Sequence, residues 1–143
     1  MARTIAITVL FGAAAIKHAT DPLLWLVAAS AMILTTAREI CMDSNDQFGD
    51  FDRTTLPRVL GLEKARKTVW ILAVASALLM LLPFALNLLP LDIIFLVLPA
   101  IVCIISSKPF LTRGSDAEAA EVLRAGMVFG LVGLALCGMI INS

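Results

Sequence analysis

The residues best suited to chemistry lie in one polar interval of an otherwise apolar chain. The interval runs from Glu39 to Gly61 and reads EICMDSNDQFGDFDRTTLPRVLG. It holds five of the eleven acidic residues, namely Glu39, Asp43, Asp46, Asp50 and Asp52. Three of these aspartates are spaced i, i+3, i+7. If the preceding helix continues through Asp50, those three and Glu39 fall within an arc of about 60° around its axis.

Carboxylates on one helix face repel one another, and in a low dielectric they tend to take up protons. A divalent cation relieves this repulsion. Mg²⁺ prefers oxygen ligands and is commonly shared between one or two carboxylates and a substrate phosphate. The spacing therefore predicts that Asp43, Asp46 and Asp50 bind Mg²⁺ together with a diphosphate.

The interval admits two other interpretations. An EF-hand calcium loop would use Asp43 and Asn45 as ligands, but Phe48 occupies the position of its invariant glycine and Thr54 that of its bidentate glutamate. The other is a solvated loop whose acids balance nearby arginines. Composition alone leaves that second interpretation open.

The elements that must position this interval are membrane helices. The 143 residues are 60% apolar and 15% charged, with a mean hydropathy of +0.97, which excludes an ordinary soluble globule. The apolar runs show no strand alternation, and no basic cluster interleaved with aromatics indicates nucleic-acid binding. The three cysteines lie in or beside apolar runs, as packed side chains do. We predict an all-α, polytopic membrane bundle forming a single domain over residues 1–143, with an Asp-rich loop at residues 42–67.

A helix needs roughly 17 to 25 apolar residues to cross the hydrocarbon core. On that measure we predict five spans: Thr4 to Ile16, Pro22 to Cys41, Thr68 to Leu89, Leu91 to Ser106, and Leu123 to Ile141. The first is short. We interpret it as a span because polar residues follow it where a signal peptide would have small cleavage-site residues.

The distribution of Lys and Arg residues between the two sides of the membrane supports this topology. Strict alternation places ten of the eleven Lys and Arg residues on the side of the Asp-rich loop and only Lys17 on the other. Such a bias follows the positive-inside rule. We therefore predict the N-terminus and the Asp-rich loop inside and the C-terminus outside, in a bacterial inner membrane or an organellar membrane such as the thylakoid or mitochondrial inner membrane.

Local patterns predict several details of the bundle. Asn87 to Pro90 indicates a tight turn, and Ser107-Lys108-Pro109 is expected to break the fourth span. The segment from Ser115 to Glu121 predicts a capped start of the last helix, with Ser115 or Asp116 as the N-cap. Gly126 and Gly130 form a small-xxx-small pair, which is typical of closely packed membrane helices.

The polar interval resembles a known family. Arg38-Glu39, then Asp43-x-x-Asp46-x-x-x-Asp50, then Thr55-Leu56-Pro57 and Leu60-Gly61 are similar to the second aspartate-rich motif of the UbiA superfamily of intramembrane prenyltransferases. The Arg-Glu-Ile start looks most like the branch containing digeranylgeranylglyceryl phosphate synthase. The match covers about thirty residues tightly and the later spans loosely.

This resemblance implies transfer of an isoprenyl group from an isoprenyl diphosphate to a lipid or aromatic acceptor. Asp43, Asp46 and Asp50 would bind Mg²⁺ and the diphosphate, and Arg53 or Arg58 would help neutralise the leaving group. The family's first motif, NDxxDxxxD, does not occur in this sequence, and Phe51 stands where an arginine is expected.

Three roles follow from a lone second motif. The sequence is part of a full prenyltransferase, or one chain of a split enzyme whose partner carries the first motif, or a catalytically inactive structural subunit of a larger membrane complex. Each implies other membrane protein subunits or segments as partners, in addition to the bilayer, and none implies nucleic acid.

Overall fold

A computed structural model describes residues 22–46 and 55–141, and every regular element in these ranges is helical. We label them α1 (Pro22–Asn45), α2 (Leu56–Leu60), α3 (Leu62–Ala85), α4 (Leu98–Arg113) and α5 (Asp116–Ile141), with a 3-10 helix, Leu91–Leu96, before α4. The predicted all-α class is confirmed.

Three of these helices, α1, α3 and α5, are long and apolar enough to cross a membrane. At 16 residues, α4 is about 24 Å long, which is shorter than a hydrocarbon core of about 30 Å. The 3-10 helix before it adds length in the same part of the chain. The predicted first span, Thr4 to Ile16, lies outside the described residues.

The four longer helices pack as an antiparallel bundle, in which α1 contacts α3 and α5, and α4 contacts α5 and α3. Apolar side chains from all four fill its centre, including Leu34, Val69, Ile104 and Leu123. Few polar groups enter this core. One that does is Ser76, whose buried hydroxyl donates a hydrogen bond to the Ser30 carbonyl oxygen at 3.0 Å and so ties α3 to α1.

Glycines let α5 approach α4 closely, as the small-xxx-small pair predicts. A Cβ placed on Gly126 would lie 3.3 Å from the Ala100 carbonyl oxygen. One on Gly130 would meet the end of the Met80 side chain and, at 3.5 Å, the Cβ of Ala100. Gly133, which the pair did not include, faces the backbone just before α4. Small residues at these positions allow backbones to touch.

The predicted break at Ser107-Lys108-Pro109 is wrong, because α4 continues through Pro109 to Arg113. The helix ends where the backbone leaves helical geometry, at Gly114, whose φ is +83°. There the Gly114 amide donates to the Leu111 carbonyl and the Ser115 amide to the Phe110 carbonyl, at 3.4 and 3.0 Å. This is a Schellman end, which favours glycine. The turn predicted at Asn87 to Pro90 is present, and Asn87 adopts a φ of 56°.

Candidate functional site at the charged end of the bundle

The antiparallel helices bring their charged turns to one end of the bundle. This charged end comprises the last turns of α1 and α4, the first turns of α3 and α5, and α2. It contains every Lys and Arg of the described ranges: Arg38, Arg58, Lys64, Arg66, Lys67, Lys108, Arg113 and Arg124. Within those ranges the opposite end carries a single charged residue, Asp92. This asymmetry agrees with the charge pattern from which the inside was assigned.

The first two predicted metal ligands lie at this end. Asp43 is in the last turn of α1 and is partly buried. Asp46 is exposed and follows the end of α1, where its Oδ1 accepts a hydrogen bond from Asn45 Nδ2 at 3.2 Å. The α-helix ends at Asn45, so Asp46 belongs to a 3-10 turn and departs from the continuous helix on which the common face was predicted.

The third predicted ligand, Asp50, lies outside the described residues. Within residues 22–46 and 55–141, no three His, Cys, Asp or Glu side chains are grouped closely enough to hold a metal ion. The Mg²⁺ site predicted from Asp43, Asp46 and Asp50 therefore stays a prediction, and it requires Asp50 to approach the end of α1.

Of the two predicted diphosphate-neutralising arginines, Arg53 is outside the described residues and Arg58 lies in α2, partly buried. The Thr55 carbonyl accepts the amides of Arg58 and Val59, so the Thr-Leu-Pro segment forms the start of this short helix. Gly61, with a φ of +85°, turns the chain directly into α3. The helix that carries Arg58 packs against α1, which carries Asp43.

A bidentate ion pair at the charged end joins α3 to α5. Arg66 Nε and Nη2 donate to Asp116 Oδ1 and Oδ2 at 2.8 and 2.7 Å, a bidentate pair. The Asp116 side chain is only 5% exposed and that of Arg66 27%. Arg66 also reaches the Gly114 carbonyl at 3.5 Å, so it links α3 to the turn before α5. The sequence predicted Asp116 as part of a helix cap but not this pairing.

A second set of charges connects α1 to α5. Arg38 Nη2 lies 4.0 Å from Glu121 Oε1, and Arg124 Nη1 lies 3.4 Å from Glu121 Oε2. Arg38 Nε is buried, with no hydrogen-bond partner among the described residues. Cys41, one turn along α1, is itself buried within the electrostatic reach of Arg38, Arg66 and Asp116. The ion pair between Arg38 and Glu121 therefore connects α1 to α5 at the charged end.

Beside the ion pair of Arg66 with Asp116, α3 and α4 form a groove of about 490 Å³. Its lining is largely apolar, with charged groups among it: Glu63, Arg66, Lys67, Trp70, Ile71, Lys108, Leu111 and Thr112. Lys108 Nζ lies 5.1 Å from the centre of the Trp70 ring, a cation–π distance. Lys67 Nζ contacts Glu63 Oε1 at 2.8 Å. We call this the α3–α4 groove.

The α3–α4 groove was not predicted from the sequence. In the sequence, Lys67 and Lys108 were counted only among the positive charges placed on the side of the Asp-rich loop. The available signal was the proximity of Lys67 and Trp70 on one helix. Their pairing with Lys108, 38 positions beyond Trp70, depends on how α3 and α4 pack.

Comparison of the chain with models of known protein families, with curated proteins and with solved structures gives no match.

Proposed function

We propose that this chain is part of a UbiA-type prenyltransferase and binds an isoprenyl diphosphate at its charged end. The observation that carries the proposal is that α1 delivers Asp43 and Asp46 to the charged end, next to the helix that holds Arg58. This arrangement supports the proposal because it brings two carboxylates suited to Mg²⁺ to the same end of the bundle as an arginine suited to a diphosphate.

In this proposal Asp43, Asp46 and Asp50 would hold Mg²⁺, which would supply neutralisation of the negative charge of the diphosphate. Arg58, with Arg53, neutralises the leaving group as the allylic C–O bond breaks and both electrons of that bond depart with the diphosphate. An aromatic carbon or hydroxyl oxygen of the acceptor then forms the new bond, and its proton passes to the departed diphosphate or to water. The family's first aspartate-rich motif would come from another segment or a partner chain.

The proposal includes a topology of five spans with the charged end inside. The clustering of Lys and Arg at that end supports it through the positive-inside rule. The 3-10 helix and α4 together would form the fourth span, and Thr4 to Ile16 the first. The N-terminus would be inside and the C-terminus outside.

The test is Mg²⁺-dependent binding of farnesyl diphosphate by the purified chain in lipid nanodiscs, measured by titration calorimetry. Asp43→Asn and Asp46→Asn should each weaken binding about tenfold or more, because each removes a full negative charge from the metal's oxygen ligands. Asp92→Asn is the matched control, since it makes the same change at the opposite end.

The proposal would be contradicted if farnesyl diphosphate bound with the same affinity with and without Mg²⁺. Equal affinities in the Asp43, Asp46 and Asp92 variants would also contradict it. If the isolated chain does not bind farnesyl diphosphate, the titration is repeated on the native assembly, in which a partner would supply the first motif. Absence of binding there also rejects the proposal.

The second candidate is a UbiA-like structural subunit without catalysis. The observation that favours it is that carboxylates of the charged end take part in ion pairs between helices: Asp116 with Arg66 and Glu121 with Arg38. On this proposal the aspartate variants leave every activity of the assembly unchanged. Gly126→Leu, which would disturb the packing of α5, should instead release the subunit on native gels.

A further inference from the structure

We propose that the α3–α4 groove binds an anionic phospholipid of the inside leaflet, with its phosphodiester between Lys67 and Lys108. This site is separate from the Asp-rich segment, and it does not require the chain to transfer prenyl groups.

The groove lies where a lipid headgroup would lie in a membrane protein of this orientation. It lies in the early turns of α3 and the last turns of α4, at the end of the bundle where the described Lys and Arg residues gather. Trp70 is in its wall, and tryptophan is enriched at membrane interfaces, where an apolar ring meets polar headgroups. Basic pockets between membrane helices on the inside face are suited to anionic headgroups.

The net charge of the groove favours a ligand with a single negative charge. Three cations line it, Arg66, Lys67 and Lys108. They face two carboxylates: Glu63 in the lining, which contacts Lys67, and Asp116 behind it, which contacts Arg66. One net positive charge remains. That matches the single negative charge of a phosphodiester far better than the several charges of a diphosphate.

The geometry of the cations also fits a phosphate. Lys108 Nζ is held over the Trp70 ring at 5.1 Å, which orients the ammonium group while its remaining N–H donors stay available to a ligand. Lys67 is 71% exposed despite its contact with Glu63, so it can turn toward a phosphate at small cost. The volume of about 490 Å³ lies within the roughly 300–1,000 Å³ that is usual for small-molecule sites.

An apolar surface continues from the groove toward the middle of the helices. On α3 the exposed residues Ile71, Val74 and Leu78 follow one another at helical spacing, and on α4 Ile105 and Val102 are exposed. Acyl chains can lie along such a surface while the headgroup occupies the groove. A phospholipid, with both parts, therefore suits the site better than a soluble phosphate ester, which has only the first.

The test is native mass spectrometry of the full chain in detergent with phosphatidylglycerol and phosphatidylcholine of identical acyl chains. We expect phosphatidylglycerol to be retained over phosphatidylcholine by about fivefold, the effect of one basic residue near a lipid phosphate. Lys108→Gln should abolish most of that preference. Lys67→Gln should do so more completely, because it also leaves Glu63 facing the phosphate.

Two further variants make the test independent of folding defects. Lys64→Gln removes a cation of α3 that does not line the groove, and it should leave the preference unchanged. Glu63→Gln removes the acid and keeps all three cations, so it should increase the preference. A change in that direction cannot arise from loss of structure.

Three outcomes would overturn the proposal. One is equal retention of the two lipids by the unaltered chain. Another is an equal loss in Lys64→Gln and Lys108→Gln. The third is displacement of phosphatidylglycerol by millimolar glycerol 1-phosphate, which would identify the groove as a soluble phosphate site. Persistence of the lipid under that competitor supports a lipid site.

Discussion

Arg66 and Asp116, fifty positions apart in the chain, form a bidentate ion pair that closes the charged end of the bundle. The carboxylate is almost fully buried, so it depends on the guanidinium for compensation of its charge. The pair fixes the second turn of α3 against the start of α5, and the Arg66 side chain also lines the α3–α4 groove. Architecture and candidate lipid site thus share one residue.

Breaking this pair from one side should be costly. Arg66→Met leaves the Asp116 carboxylate buried without a cation, and we expect a loss of about 3 kcal/mol in the free energy of unfolding. The measurement is unfolding of the purified chain in mixed micelles, followed by helical circular dichroism. The double variant Arg66→Met, Asp116→Leu should recover most of the loss, and a double variant as unstable as the single would argue against this account.

The glycines of α5 should differ in their tolerance of a methyl group. At Gly133 the added Cβ would collide with the Leu96 backbone carbonyl, so Gly133→Ala should cost about 1–3 kcal/mol. At Gly130 it would meet the flexible tip of Met80, which can move, and the cost should be smaller. Gly138→Ala is the control, because a Cβ added there would have no packing neighbour within 4 Å among the described residues. The same unfolding assay ranks them, and an equal cost at all three positions would refute the packing described for α5.

The buried hydrogen bond between α3 and α1 should contribute modestly. Ser76→Ala removes the donor to the Ser30 carbonyl, and we expect a loss of about 0.6 kcal/mol, the average for hydrogen bonds between membrane helices. Thr36→Ala is the comparison, because the Thr36 hydroxyl donates within its own helix, to Met32. If Ser76→Ala were no worse than Thr36→Ala, the bond between helices would have no measurable role.

The proposed orientation predicts a labelling pattern. In a variant whose native cysteines are replaced by alanine, Lys64→Cys and Arg113→Cys should react with a membrane-impermeant maleimide only from the inside. Asp92→Cys should react only from the outside, because Leu91–Leu96 lies at the opposite end of the bundle. Labelling of the Asp92 and Arg113 positions from the same side would show that α4 does not cross the bilayer, and would reduce the number of spans.

Much of the fold was predictable from hydropathy and charge. Long apolar runs predict membrane helices wherever they occur, and charges excluded from the hydrocarbon must gather at the helix ends. Helix boundaries were predicted less well. The helix α3 begins at Leu62, ahead of the span predicted from Thr68, because a helix can continue past the hydrocarbon into charged residues that hydropathy counts as loop. The start of α5 at Asp116 agrees with the capped helix start predicted there, ahead of the span predicted from Leu123.

The candidate site, like the fold, was predictable from the sequence only in part. The sequence alone determined that acids and basic residues surround one end of a helical membrane protein, and it supplied the spacing of Asp43, Asp46 and Asp50 on which the Mg²⁺ prediction depends. Only the tertiary structure decided that Arg66 pairs with Asp116 and that Lys108 lies over Trp70. Such partners depend on the rotation and register of neighbouring helices, which close backbone contact at Gly126 and Gly133 helps to set. Hydrophobic periodicity identifies a buried face, but it does not specify which face of which other helix it meets.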